Sequence, residues 1–335
     1  MLIFSSFFAI VDHHLYINCI RFIDPLSFEC MAQYYEQDLL SSLHTLSLQE
    51  KDQKKLFKTE QHYRRQRKRR QRTQQLNNSL SIKPIFTALH PYDIIHIHHT
   101  TSIEFIYDLI DLAQHTYKFT IDTETDKKSH QPALIQIEFV DGPQSIVLLI
   151  ETCHLPDESS LLFGLIQSLL NVIFKPSNTI LSWGHAMDEL IKFLPYHIIN
   201  WDTLDQLHFI NIQDCFKKWY NDTMIHKCGL QYNIDHCSCT CSYRPYKRNH
   251  DKWSLQQAIA YTFNEFLNKH CTFSNWTQGL DDYLHHDYSS HCHRQYLIQY
   301  AVNDCLAVTK LAMVITNNWS LKQLQEHNVN SYISK

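Results

Sequence analysis

Glycine is scarce in this sequence, at 5 of 335 residues. Loops that cradle the phosphates of nucleotide cofactors need several glycines at fixed spacing, because only glycine lets the backbone come so close to a phosphate. Neither G-x-G-x-x-G nor G-x-x-x-x-G-K-[ST] occurs in the chain. The sequence therefore argues against a nucleotide-dependent dehydrogenase and against a P-loop enzyme.

Signals for secretion and for membrane insertion are also weak. The chain starts with the apolar stretch MLIFSSFFAIV, but no positive segment leads it and no convincing cleavage site follows. No apolar run approaches the length that a membrane-spanning helix needs. The 11 cysteines show no regular disulfide spacing, which favours a reducing compartment. We expect an intracellular protein without a membrane partner, with the nucleus favoured over the cytoplasm.

Positive charge is concentrated in one segment. The formal net charge is −4, yet seven basic residues stand close together with no acidic residue between them. An acidic body with one basic segment fits metal-binding carboxylates combined with a polyanion-binding or nuclear-import segment, whereas a solvated helix face is the alternative. We call this segment the basic tract: Arg64, Arg65, Arg67, Lys68, Arg69, Arg70 and Arg72.

The chain divides into two regions. Residues 1–85 predict a helical, basic N-terminal region that is partly disordered, and Pro84 and Pro91 mark the boundary. Residues 90–320 alternate strands and helices, which predicts an α/β fold with a mixed sheet flanked by helices. The predicted strands are 94–98, 118–123, 133–139, 145–150 and 180–183. Four helices are predicted. The first follows a capping box from Thr101 to Glu104, the second spans 162–173, the third runs from 188 to Pro195, which ends it, and the fourth spans 294–316.

A polar, Cys-rich segment interrupts the second region. Residues 202–251 predict mostly loop, with a Cys-rich insertion at about 214–252. Thiolates suit zinc, but the C-x-C-x-C spacing here differs from the C-x₂₋₄-C of a zinc knuckle. The spacing therefore favours a loop rich in cysteine over a structural zinc site. The residues concerned are Cys228, Cys237, Cys239 and Cys241.

Two carboxylates stand two residues apart on a predicted strand. Asp122 and Glu124 alternate with Phe119 and Ile121, so a period of two places both carboxylates on one face of the sheet. Burying two repelling carboxylates without compensation costs several kcal/mol. A divalent cation is the natural compensation, and oxygen ligands suit Mg²⁺ or Mn²⁺.

A tyrosine and an aspartate stand four residues apart in the last predicted helix. Tyr300 and Asp304 therefore lie on the same helix face, one turn apart. A phenol beside a carboxylate can position a metal-bound water or help to deprotonate it.

The order of these motifs carries more information than any one of them. Asp-Thr-Glu on a strand is followed by a second strand, then by Gly184 to Leu190 at a strand–helix junction, then by Tyr300 to Asp304. Between the last two stand a helix opening at Trp253 and the triplet ending at Trp276. Over residues 92–318 this succession resembles the DEDDy superfamily of 3′–5′ exonucleases, which includes ribonuclease D and the Werner-type exonucleases.

The resemblance implies a ribonuclease H-like fold and hydrolysis of nucleotides from the 3′ end of RNA or DNA. It also implies two divalent cations, Mg²⁺ or Mn²⁺, held by Asp122, Glu124, Asp188 and Asp304. In the family pattern Asp188 acts mainly through coordinated waters, and Tyr300 orients the attacking water. His185 is expected to be a packed or hydrogen-bonded histidine, because this mechanism needs no histidine base.

The sequence departs from the family pattern in two places. The family often has glutamine three residues before the tyrosine, where this chain has Leu297, and the segment between Asp188 and Asp304 is longer than usual. A catalytically silent exonuclease fold that binds nucleic acid or acts as a scaffold is the alternative, although all four carboxylates and the tyrosine are present. A DNA-binding regulator built on the basic tract and the cysteines is a third reading, which lacks zinc-finger spacing.

Overall fold

The computed structural model describes residues 60–326, apart from 62, 66, 69, 141–143, 225–244, 247–250 and 285–290. The chain forms two compact units, Met1–Arg72 and Thr73–Lys335. In the first unit the described residues lie between 60 and 72 and are helical and exposed. Arg64 Nη2 there donates to Glu60 Oε1 at 2.7 Å. Arg69 of the basic tract lies outside the described residues.

Six strands form one mixed sheet in the second unit, in the order β1-β4-β3-β2-β5-β6. Among these described strands, only β3 runs antiparallel to its neighbours. The α/β class and the mixed sheet that the sequence predicts are confirmed. The strands are β1 (Tyr92–Ile97), β2 (Lys118–Thr125), β3 (Pro132–Phe139), β4 (Ser145–Glu151), β5 (Thr179–Ser182) and β6 (His208–Asn211).

Helices cover both faces of this sheet. The predicted helices 162–173 and 294–316 are confirmed, and the second begins three residues earlier than predicted. The third predicted helix is shorter, because its α-helical part ends at Leu190 and a 3₁₀ segment, Ile191–Tyr196, contains Pro195. The α-helices are α1 (Ile103–Gln114), α2 (Leu161–Ile173), α3 (Ala186–Leu190), α4 (Trp201–Asp205), α5 (Ile212–Thr223), α6 (Leu255–Phe263) and α7 (His291–Thr316).

The two faces of the central strands differ in chemistry. Phe119 and Ile121 of β2 pack with buried residues of β3, α1 and α2 in one hydrophobic core. The side chains that alternate with them are polar and point to the opposite face. There α7 crosses the sheet, and Thr120 Oγ1 on β2 lies 2.7 Å from Thr309 Oγ1 on α7. The polar face of the central strands is therefore covered by the last long helix.

The capping box predicted at Thr101 is wrong by one residue. Ser102 is the N-cap of α1, and its hydroxyl accepts from the Phe105 N–H at 3.1 Å. The Thr101 hydroxyl instead accepts from the His98 N–H at 3.0 Å, just after β1. Because the end of β1 occupies this hydroxyl, the neighbouring serine takes the capping role.

The prediction of loop from residue 202 onward is wrong for residues 202–205 and 208–223. Helix α4 occupies the first range, and strand β6 and helix α5 occupy the second, so α5 includes the start of the predicted insertion. Phe216, Trp219 and Tyr220 of α5 are buried, and Asn211 caps the helix through the Gln213 N–H. Apolar residues spaced by three and four positions indicate a helix, but the charged and polar residues between them hid this pattern in the sequence. Residues 225–244 lie outside the described part.

Helix α7 meets the length and composition of a membrane span, contrary to the sequence prediction that no apolar run does so. However, 78% of its most apolar window is buried inside the fold. Arg294 and Lys310 on this helix are buried against Asp282 and Glu265. This is the pattern of a core helix.

Residues 73–85, which the sequence assigns to the N-terminal region, belong to the second unit. Asn77 Oδ1 accepts from Gln256 Nε2 at 2.8 Å and from the Lys269 N–H at 2.9 Å. Ile85 forms a parallel bridge with Phe266. This segment therefore holds the stretch that follows α6, which is the stretch that carries Lys269.

Candidate metal centre

Strand β2 places two carboxylates on the face covered by α7. Asp122 pairs across the ladder with Gln136, and Glu124 pairs with Leu134, so both side chains share one face as the period of two predicts. The pairing register shifts between Glu124 and Thr125. A bulge at this point re-aims the end of the strand next to the site.

Helix α7 adds a third carboxylate from the opposite side. Asp304 is buried, with 1% of its surface exposed, and ligand atoms of Asp122, Glu124 and Asp304 all lie within 4.8 Å of one another. We call these three residues the carboxylate cluster. The predicted convergence of Asp122, Glu124 and Asp304 is therefore present in the fold.

Mutual repulsion and burial disfavour negative charge in the carboxylate cluster. Burial and the Asp304 charge raise the pKa of Asp122 to about 7, although Lys269 and the Thr123 N–H act in the other direction. Burial and the Asp122 charge hold the pKa of Glu124 well above its usual value. Burial also raises the pKa of Asp304, against the lowering effect of Lys269.

One oxygen in the cluster has an unmet bonding requirement. Asp304 Oδ1 is buried and has no hydrogen-bond partner among the described residues. A buried acceptor without a partner costs free energy, and a bound cation removes that cost. All three side chains offer hard oxygen donors, which fit Mg²⁺ or Mn²⁺.

Tyr300 lies beside the cluster, one turn before Asp304. Its hydroxyl is 3.1 Å from Thr272 Oγ1, and its ring packs against Trp276 with 5.8 Å between the ring centroids. Burial and the charges of Asp304 and Glu124 raise the pKa of Tyr300 well above its usual value. The phenol therefore stays protonated and can donate a hydrogen bond, which suits orienting a water better than deprotonating one.

Sequence reasoning missed Lys269. Its ammonium donates to Asp304 Oδ2, lies 3.4 Å from the Tyr300 hydroxyl and sits 4.9 Å from the centre of the Tyr300 ring. Lys269 stands in the segment between α6 and α7, where neither strand nor helix periodicity applies. Only the tertiary fold brings it to the cluster.

The fourth predicted metal ligand, Asp188, is not among the three grouped residues of the carboxylate cluster. Asp188 is exposed in the short helix α3, which follows Gly184 in a left-handed turn with φ of 110°. Its neighbour Glu189 accepts from Thr123 Oγ1 on β2 at 3.4 Å and pairs with Lys192 at 2.5 Å. The Glu189 charge also contributes to raising the pKa of Asp122 and of Glu124. Asp188 stays a prediction, and Glu189 is the α3 carboxylate that the sequence did not single out.

The remaining predicted sites are His185, the cysteines of the insertion and the basic tract. His185 is exposed, so it is not a packed histidine, and its side chain makes no capping hydrogen bond to α3. The alternative expectation, a hydrogen-bonded histidine, stays a prediction. Cys228, Cys237, Cys239 and Cys241 lie outside the described residues. The described residues of the basic tract belong to the other unit, and its two suggested roles stay predictions.

Comparisons with known proteins found similarity in fold alone. No protein-family model matches the chain, and no curated protein matches it in sequence. The Nibbler EXO domain from Aedes aegypti matches with a TM-score of 0.45 and 14% identity, over 70% of this chain and 92% of that chain. Escherichia coli RNase D matches with a TM-score of 0.39 and 15% identity, over 71% of this chain and 49% of that chain. The EXD2 exonuclease domain matches with a TM-score of 0.31 and 15% identity, over 67% of this chain and 95% of that chain.

Proposed function

We propose that this chain is a divalent-metal-dependent nuclease that removes nucleotides from the 3′ end of RNA or DNA. The observation that carries the proposal is the carboxylate cluster, in which three buried or partly buried carboxylates converge beside a protonated tyrosine. Such a group is costly unless it holds a cation, so its presence calls for a function. The motif order that resembles the DEDDy exonucleases supports the direction of attack.

The oxygen donors of the cluster fit hard cations, and the family resemblance implies two of them. Asp122, Glu124 and Asp304 would hold them, and Asp188 would take part through waters at the open side of the site. Bound Mg²⁺ or Mn²⁺ would supply Lewis-acid activation of a water and charge stabilisation at the leaving 3′ oxygen. The unpartnered Asp304 Oδ1 is the local feature that fits this role.

The chain's own side chains provide the remaining parts. The Tyr300 hydroxyl donates toward the attacking water and orients it, while Thr272 and Trp276 hold the tyrosine in place. Burial and the charges of Asp304 and Glu124 hold the pKa of Tyr300 well above its usual value when no metal is bound. Recognition of a chain end by shape and base stacking would not require reading of base edges.

One observation favours the second candidate, a silent nucleic-acid-binding or scaffolding fold. The Lys269 ammonium already pairs with Asp304 and so neutralises part of the cluster without a metal. A protein that had lost its metal would need such a substitute charge. The presence of Tyr300 with all the carboxylates argues for the enzyme instead.

Matched RNA and DNA oligonucleotides, each with a free or a blocked 3′ end, test the proposal. With Mg²⁺ or Mn²⁺ we expect the free ends to be degraded and the blocked ends to resist. Binding of the oligonucleotides without any degradation would support the silent fold and reject the enzyme. Equal degradation of blocked ends would reject attack from the 3′ end.

A further inference from the structure

Lys269 occupies the place where a cation is needed. Its side chain is 19% exposed, and its ammonium donates to Asp304 Oδ2 while lying 3.4 Å from the Tyr300 hydroxyl. The Asp122 and Glu124 charges also act on it. One ammonium therefore faces three carboxyl groups.

The ammonium of Lys269 is hydrogen-bonded and ion-paired to Asp304. A hydrogen bond between an ammonium and a carboxylate is stronger than one between neutral groups. The oxygen that it uses, Asp304 Oδ2, belongs to a residue that a metal would need.

A metal and this ammonium compete for the same space. Oxygen ligands stand about 2.0–2.6 Å from Mg²⁺ or Ca²⁺-sized cations, so a metal bound by the cluster would sit among its oxygens. The ammonium donates to Asp304 Oδ2, so a metal that takes this oxygen has to displace the ammonium from it. A divalent cation and an ammonium that share one carboxylate also repel each other.

The backbone of Lys269 is held by hydrogen bonds, whereas its side chain is long and partly exposed. The Lys269 N–H donates to Asn77 Oδ1 at 2.9 Å, and the Lys269 carbonyl accepts from Thr272 Oγ1 at 2.9 Å. The four-carbon side chain is flexible, so its ammonium can leave the cluster without any movement of the backbone.

We propose that Lys269 is a built-in counter-ion, which holds the place of a divalent cation in the metal-free protein and withdraws when the metal binds. The proposal rests on the metal site of the proposed function but not on the nuclease reaction. Lys269 thereby keeps the empty carboxylate cluster folded and sets how tightly the metal is held.

Lys310 provides a matched control within the same fold. It is also buried, and its ammonium donates to both oxygens of Glu265 at 2.9 and 2.8 Å and to the Thr87 carbonyl at 2.9 Å. It lies over the rings of Phe86 and Phe263. Its pairing belongs to the core and not to the carboxylate cluster.

The first test measures Mn²⁺ affinity by titration calorimetry for the wild type, Lys269→Met and Lys310→Met. We expect Lys269→Met to bind Mn²⁺ at least about tenfold more tightly, because the competing charge is gone. We expect the affinity of Lys310→Met to equal that of the wild type. Unchanged or weaker Mn²⁺ binding by Lys269→Met would overturn the proposal.

The second test needs no lysine variant and so does not depend on its folding. Lysine acylation of the wild type, read by mass spectrometry, should modify Lys269 severalfold faster with saturating Mn²⁺ than without it. Lys310 should not respond, and neither lysine should respond in the double variant Asp122→Asn/Glu124→Gln. Equal modification of Lys269 with and without bound Mn²⁺ would show that it does not withdraw, and would overturn the proposal.

The two proposals fail in distinguishable ways. If Mn²⁺ binds and Lys269 is released but no nuclease activity is found, the counter-ion proposal stands and the nuclease proposal is rejected. If nuclease activity is found but Lys269 does not respond to Mn²⁺, the nuclease proposal stands and the counter-ion proposal is rejected. Absence of Mn²⁺ binding by both the wild type and Lys269→Met would reject both.

Discussion

At the scale of single residues, the carboxylates that would bind metal destabilise the metal-free fold. The pKa of Asp122 lies at about 7 instead of 3.8, chiefly because of burial and the Asp304 charge. A carboxyl group with a raised pKa in the folded state makes the protein less stable as the pH rises from the unfolded pKa to the folded pKa. Above the folded pKa, and so at physiological pH, the whole loss of folding free energy is present.

Replacing Asp122 with Asn should therefore stabilise the metal-free protein. At pH 8 we expect a gain of roughly 1–3 kcal/mol in the free energy of unfolding, measured by urea denaturation. Added Mn²⁺ should stabilise the wild type and have little effect on the variant. Asp108→Asn, a change at an exposed position on α1, is the control and should alter neither quantity. A destabilised Asp122→Asn would show that the cluster is not under strain.

Tyr300 offers a second test at this scale. Replacing it with Phe removes the hydroxyl that lies 3.1 Å from Thr272 Oγ1 but keeps the ring packed against Trp276. We expect kcat to fall by roughly ten- to a hundredfold, with KM changed little, because the lost interaction orients the attacking water. Steady-state kinetics on a short oligonucleotide measures both. A rise in KM with kcat preserved would contradict the orienting role.

At the scale of elements, the strand and the long helix were predictable because each carries its own periodicity. The period of two on β2 and the spacing of four on α7 placed Asp122, Glu124, Tyr300 and Asp304 without any tertiary information. Lys269 was not predictable, since tertiary contacts, among them the hydrogen bond to Asn77 and the bridge between Ile85 and Phe266, hold its irregular segment at the cluster. The cap of α1 was misplaced because two adjacent hydroxyls compete for one role.

The contact between the sheet and α7 contains a buried acid that the proposed reaction does not use. Glu138 on β3 accepts from Thr309 Oγ1 on α7 at 2.5 Å and from Ser145 Oγ on β4 at 2.8 Å. Burial raises the pKa of Glu138 from 4.5 to about 7, despite these two hydrogen bonds. Because the folded pKa is the higher one, its contribution to stability is present below pH 4.5 and is lost as the pH rises to about 7.

Replacing Glu138 with Gln should flatten this pH dependence. The wild type should lose up to about 3 kcal/mol of unfolding free energy from this group between pH 4.5 and pH 7, and the variant should not. Urea denaturation at a series of pH values makes the comparison. Parallel stability curves for the two proteins would contradict a neutral, buried Glu138.

Helix α3 poses a choice between two neighbouring carboxylates. Glu189 is engaged by Lys192 and by Thr123, whereas Asp188 is the residue at the family position. We expect Asp188→Asn to lower kcat by roughly a hundredfold or more and Glu189→Gln by less than about tenfold, because only Asp188 would act through metal-bound water. Turnover with Mn²⁺ measures both variants. A larger loss of kcat in Glu189→Gln than in Asp188→Asn would identify Glu189 as the fourth ligand.

At the scale of the whole molecule, the site forms where distant parts of the chain meet. Strand β2, the segment after α6 and helix α7 are far apart in sequence, and the sheet brings them together. The alternation of strands and helices in the sequence predicts the fold class, but it predicts neither the strand order of the sheet nor the helix α5. Pairing of strands depends on the whole core, which local patterns do not encode.

The carboxylate cluster lowers the stability of the metal-free fold, although the proposed function requires it. The core beneath the sheet and helix α7 hold three carboxylates together although their charges and burial oppose it. Such strain persists only where the surrounding structure supports it, and it marks sites of function. The central claim is therefore that this cluster performs metal-dependent hydrolysis.

The most direct test compares the wild type with Asp122→Asn/Glu124→Gln on 5′-labelled single strands of RNA and DNA in the presence of Mn²⁺. The wild type should produce a ladder that shortens by one nucleotide at a time from the 3′ end, and chelation of the metal should stop it. The double variant should stay folded by circular dichroism and leave the strands intact. Intact strands with the wild type, or the same ladder with the double variant, would contradict the account.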